Sequence, residues 1–153
     1  MQPDFGELRS PQPLMLALCV FIIIKELSMD RKFILTAFGY AILGLALGIY
    51  MAASKNHGQH VTHAHFMLIG FLLSFIYGLC HKLWLNNSTS KLAIVQFYVH
   101  QIGSAVILIG LFLLYGQFVD LETIDPVLAV ASITVFAGVI LMKIEFVRCT
   151  RNT

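Results

Sequence analysis

Charge is scarce in this sequence. Asp, Glu, Lys and Arg make up 12% of its 153 residues and apolar side chains 58%, a balance far from that of a soluble domain of this size. The formal net charge is only +2 and the basic residues are dispersed. That excludes a nucleic-acid surface, where clustered Lys and Arg must neutralise many phosphates. Cysteine is sparse too: Cys19, Cys80 and Cys149 are odd in number and form no CxxC pair. Cys80 and Cys149 fall near the side assigned below to the cytoplasm, where thiols stay reduced, and are expected to pack as apolar residues. The sequence also lacks a nucleophile–base pair and a phosphate loop, which argues against a hydrolase or a nucleotide enzyme.

What is present is apolar sequence in long runs. A bilayer core roughly 30 Å thick needs about 20 mostly apolar residues in a helix. Four segments qualify: Phe33 to Ala53, Phe66 to Leu85, Leu92 to Phe118 and Pro126 to Val147. Arg31 and Lys32 precede the first, Lys82 and Lys91 lie between the second and third, and Lys143, Arg148 and Arg151 end the fourth. The opposite side carries Lys55 alone with Asp120, Glu122 and Asp125. Basic residues resist translocation, so both termini are expected in the cytoplasm, in a bacterial cytoplasmic (inner) membrane. Short loops imply an all-α, up-down four-helix bundle. Asp125-Pro126 reads as an N-cap with proline in the first helical position, and Ser88, Thr89 and Ser90 offer caps for the third span. Trp84 suits the headgroup level at the inner end of the second. Ala37, Ala41, Gly44, Gly48 and Ala52 share one face of the first span, which favours a packing seam within the monomer over a dimer interface.

The leading 28 residues fit this pattern poorly. The apolar run from Pro13 to Ile24 is too short to span and precedes Lys25 and Glu26. A signal peptide needs a basic start and a small-residue cleavage site, whereas Asp4 and Glu7 precede this run. Two expectations stand side by side. In one, residues 1–28 are an extension not translated natively, with Met29 the natural start after codons for Lys25 and Glu26 that resemble a ribosome-binding sequence. In the other, the run is an interfacial or re-entrant segment.

The six histidines are unevenly placed. His57, His60, His63 and His65 crowd the outer loop and the start of the second span, His81 sits at its inner end, and His100 lies within the third. An ionisable side chain inside a membrane span is costly and faces the bundle or a water-filled cavity, which makes it a functional candidate. At 100° per residue, His63, Gly70, Ser74, Tyr77 and His81 form a polar or small stripe expected to face the interior. His65 falls above Leu68, Leu72, Ile76, Leu79 and Leu83, which read as lipid-facing. On the third span, Gln96, Gly103, Ser104, Ile107 and Leu111 share the face of His100, leaving room beside it for a flat ligand. His57 and His60 read as solvated loop residues, and His81 either as an interfacial anchor or as an inner site. Counting from the helix ends at about 1.5 Å per residue, His63 and His65 lie on the order of 25 Å from the level of His100. One heme therefore cannot bridge His65 and His100 within a monomer. Either the outer pair binds separately, with His57, His60 or Met51, or a second chain completes the site. Zinc or copper at an outer site of His57, His60, His63 and His65 is chemically reasonable for imidazole, but that cluster lacks acid and thiol partners.

The stretch His63-Ala64-His65-Phe66-Met67-Leu68-Ile69-Gly70 running to Tyr77-Gly78, followed by Gln96-Phe97-Tyr98-Val99-His100-Gln101-Ile102-Gly103, resembles the small four-helix proteins related to the catalytic subunit of heme-copper oxidases and nitric oxide reductases, the cytochrome oxidase subunit I-like proteins. The resemblance covers roughly Arg31 to Gly116 and rests on short motifs. It implies that His65, or less well His63, is an axial ligand of a heme b. The large enzymes add many more helices, a second heme ligand on a late helix and three further metal-binding histidines. None of these has a counterpart here, so no stand-alone catalytic activity is expected. Two functions follow. One is a b-type-like heme protein or respiratory accessory for electron transfer or heme handling, with His65, His100 and His63 as cofactor residues and a homodimer or respiratory-chain subunits as partners. The other is a structural or divalent-metal-handling membrane protein.

Overall fold

The structure is a computed structural model that describes residues 27–87 and 89–151. Apart from Leu27 and Ser28, the expectations for the leading 28 residues lie outside the described residues, as does Cys19. Among the described residues the fold is an all-α up-down bundle of four helices, each long and apolar enough to cross a membrane: α1 Met29–Ser54, α2 His60–Leu83, α3 Lys91–Tyr115 and α4 Leu121–Thr150. The start of α1 and the end of α4 share the end rich in Lys and Arg, here the basic end. Large apolar side chains face outward along the helices, Ile42, Ile49 and Ile133 among them, each more than two-thirds exposed. Water would make such a surface unstable, whereas hydrocarbon is its natural solvent.

Local chemistry sets the helix ends. Lys55 closes α1 in the left-handed region (φ 55°). Asn86 and Asn87 take φ 48° and 53° after α2, a conformation that asparagine tolerates better than most residues. The Ser90 hydroxyl accepts from the backbone N–H of Ala93 at 3.0 Å and caps α3, one of the three caps expected there. The cap expected at Asp125 is corrected. Helix α4 begins at Leu121, with Asp120 extended before it (φ −72°, ψ 148°), so Pro126 falls in the second turn. The apolar pattern begins only after Pro126, which hid the polar first turn of the helix.

Helix α2 departs most from expectation. It starts at His60, earlier than the apolar run. It also changes form midway, from an α-turn at His60–His65 to a π-helical stretch at Phe66–Leu73 and back to α-helix at Ser74–Leu83. Gly70, Ser74, Tyr77 and His81 are buried as expected, and Leu68, Leu72, Ile76, Leu79 and Leu83 are exposed. His63 is half-buried and packs against Gly44 and Gly48 of α1, the helix that Gly70 of the same stripe also meets at Tyr40.

Two layers of core hold the bundle. At the basic end Met29, Phe33, Tyr77, Leu85, Ala93, Phe97 and Met142 pack together from all four helices, with Cys80 and Cys149 half-buried against them. Farther out, Ile107, Ala131 and Val135 join α3 to α4. The small face of α1 serves the monomer: a Cβ at Gly44 would lie 2.9 Å from Met67 Sδ, and one at Gly48 would lie 3.1 Å from His63 Cε1.

Candidate functional site

Three of the four outer histidines have a ring nitrogen tied to backbone. His63 Nδ1 lies 2.8 Å from the Gly44 carbonyl on α1, His65 Nδ1 2.8 Å from the Val61 carbonyl one turn earlier, and His60 Nδ1 3.0 Å from the His57 carbonyl. A carbonyl only accepts, so in each contact Nδ1–H is the donor. In a neutral ring Nε2 then keeps a lone pair. This is the arrangement that metal-binding imidazoles use, with the second nitrogen oriented by a backbone acceptor. His65 is half-buried on the side of the exposed Leu68 and Leu72, and His57 and His60 are exposed. Behind these rings Thr62 donates to Gln59 Oε1 at 2.6 Å, and Gln59 Nε2 donates to the Phe112 carbonyl at 3.0 Å. That buried pair anchors the first turn of α2 to the end of α3. A cleft of about 470 Å³ nearby is lined by Tyr50, Gln59, Phe112, Tyr115 and Phe118, and no histidine forms its wall. Among the described residues no group of three or more His, Cys, Asp or Glu side chains could hold a metal ion.

His100 belongs to a different place. Its ring is fully buried, with Nε2 3.0 Å from Ser74 Oγ, the Tyr77 ring edge-on at 4.9 Å and Phe33 at 6.4 Å. The backbone of α4 passes behind it at Gly138, where an added Cβ would sit 3.4 Å from His100 Cα. Ser74 follows His65 by nine residues, roughly 13 Å at an α-helical rise. The two histidines are therefore separated in depth by about half of what counting from the helix ends implied. They remain too far apart for one iron. The small residues next to His100 leave no room for a flat ligand, because α4 packs onto them: Val135 Cγ2 would lie 2.9 Å from a Cβ at Gly103.

His81 is also fully buried, rather than standing at the interface as an anchor. Phe33 stacks on it at 5.5 Å with the planes 16° apart, and its Nε2 lies 3.9 Å from Glu145 Oε2. Glu145, which is 4% exposed, accepts from the Ser90 hydroxyl at 3.2 Å on its other oxygen. Sequence reasoning passed over Glu145, because a carboxylate between Lys143 and Arg148 near a helix end looks like an interfacial charge. The available signal was its place inside the fourth apolar run, facing the small residues Gly138 and Ala131 along the helix. Gln96, also fully buried, donates to the Gly138 carbonyl at 3.4 Å. The outer imidazoles and this inner polar column, to which α2, α3 and α4 all contribute, are thus two separate constellations. In comparisons with known proteins, the chain matches no family model, no curated protein and no solved structure.

Proposed function

We propose that the chain is a heme-linked membrane protein of respiration, in which the outer imidazoles of α2 present iron ligands to a heme b shared with a second chain. The observation that carries this reading is the tether on His65. Its Nδ1–H is held by the Val61 carbonyl, which leaves Nε2 as a lone-pair donor on the half-exposed flank of the helix. His63 is fixed in the same tautomer by Gly44 and stands beside it as the second candidate. The resemblance of the stretch from His63 to Gly70 to oxidase-related proteins points to the same ring. The residues at the outer end therefore fit a heme ligand set that is completed from outside the monomer, by a second copy or a respiratory-chain subunit. The surroundings of His100 do not fit a heme, since the residue is fully buried and α4 packs against the helix face beside it at Gly103 and Gly138, where a macrocycle would have to lie. A heme at the outer site would supply one-electron redox chemistry. The chain's own part is to orient the imidazole and hold the outer turn of α2 against α1 and α3. The Lys and Arg asymmetry supports a bacterial inner membrane with both termini in the cytoplasm.

A zinc- or copper-handling role at the outer histidines is the competing reading, and the geometry favours it less because the four rings do not converge. Absorption spectroscopy of the detergent-solubilised protein, purified with its native partners from heme-replete membranes, separates the two. A Soret band that sharpens on reduction, is lost in His65→Ala and persists in His57→Ala and His60→Ala supports the heme reading. A colourless preparation that binds stoichiometric zinc or copper overturns it.

A further inference from the structure

Among the described residues, seven buried side-chain polar atoms find no hydrogen-bond partner: Tyr77 Oη, both ring nitrogens of His81, Gln96 Oε1, His100 Nδ1, Ser104 Oγ and Glu145 Oε2. They are not scattered. From the basic end outward they follow one column through the bundle, beginning with Glu145 and His81, continuing past Tyr77 and Gln96 to His100, and ending at Ser104. The buried polar pair of the outer half, Gln59 and Thr62, is satisfied by contrast. Unsatisfied polar groups are costly in any protein interior and more so at membrane depth. The usual remedy in a polar interior is ordered water, which takes two to four such partners at once.

We infer that this column binds a file of water and forms a proton-conducting half-path from the basic end to His100. Its mouth is Ser90, exposed at the start of α3 and hydrogen-bonded to Glu145. A proton from bulk water adds to the Glu145 carboxylate. It passes to His81 Nε2 across the 3.9 Å contact, which a small rotation closes to a hydrogen bond. His81 releases its other ring proton, from Nδ1, to water beside Tyr77, and His100 Nδ1 accepts a proton from that water. Every transfer breaks one O–H or N–H bond and forms another, and no electrons move. Beyond Ser104 the apolar cluster of Ile107, Ala131 and Val135 closes the way, so the path ends within the membrane. The groups that face it are Asp30 and Phe33 from α1, Tyr77 and His81 from α2, Ser90, Gln96 and His100 from α3, and Glu145 from α4; the nearby Lys82, Lys91 and Lys143 are exposed. The inference uses none of the outer histidines and stands apart from the heme reading.

Solid-state NMR of the full chain in liposomes, with 15N-labelled histidine assigned by single His→Asn variants, tests it through exchange of ring N–H in D2O. The expected result is exchange at His81 and His100 within minutes. Glu145→Gln, which keeps the shape and removes the titrating group, slows exchange at His100 by an order of magnitude or more and leaves His65 unchanged, while Glu145→Asp restores the rate. Protection of the His100 ring over hours in the unmodified protein overturns the inference, whatever becomes of the Glu145 variants. Equal His100 rates in the unmodified protein and a folded Glu145→Gln variant also overturn it, since a purely structural cluster would behave that way.

Discussion

His63 on α2 donates from Nδ1 to the carbonyl of Gly44 on α1, 2.8 Å away, and the same ring lies against Gly48 one turn further along. One side chain thus reads both small residues of the GxxxG pair. The seam is part of the α1–α2 contact. The close approach explains why these positions are glycine: any side chain at 48 must displace the imidazole.

Overpacking this seam is the first prediction. Gly48→Leu and Gly70→Leu, the latter opposite Tyr40, whose Cγ would be 2.7 Å from an added Cβ, are expected to cost about 1–3 kcal/mol each. Gly39 meets nothing within 4 Å, and Gly39→Ala should instead stabilise by roughly 0.5–1 kcal/mol through helix propensity. Equilibrium unfolding in mixed micelles measures all three, and equal effects at 39 and 48 would contradict the packing described.

The Ser74–His100 contact gives a second. Removing the hydroxyl leaves His100 without its one hydrogen-bond partner in a fully buried site, so Ser74→Ala should cost about 1–3 kcal/mol. Ser132 bonds only to the Leu128 carbonyl of its own helix and is exposed. Ser132→Ala is therefore expected to stay within about 0.5 kcal/mol of the parent. The same unfolding assay compares them.

Substitution at His100 separates a packing and proton role from a ligand role. His100→Asn should destabilise the protein while leaving any Soret band of the purified complex in place, because the buried ring is held among Ser74, Tyr77 and Phe33. Loss of the band in a folded His100→Asn protein would return this residue to the ligand set.

Topology is tested by reporter fusions. Fusions after Asn86 and after Thr153 should report the cytoplasm, and one near Asn56 the outside, as the distribution of Lys and Arg requires. An external signal at either of the first two sites would reverse the assignment of the basic end.

The bundle was legible in the sequence because its cause is simple. Four apolar runs of spanning length admit few alternatives in a bilayer, and the lipid face of α2 follows from Leu68 to Leu83 at helical spacing. The polar starts of α2 and α4 were not legible, since His60 to His65 and Leu121 to Asp125 carry no apolar period. His100, Ser74 and Tyr77 stood out as polar residues in apolar surroundings. Glu145 did not, because flanking cations gave it a surface context that only the packing of α4 against α2 and α3 removes. The π stretch left no mark in the residue types.

That stretch, Phe66–Leu73, acts as a length of slack between two halves of one rod. A π turn sweeps about the same angle as an α turn but uses roughly one residue more. Deleting a single residue there would therefore close the wide turns to ordinary α-turns with little net rotation between the outer imidazoles and the inner column. The regular α-helix at Ser74–Leu83 has no such reserve, and a deletion in it would turn one end of α2 against the other by about 100°, re-aiming the outer site with every one of its residues still present.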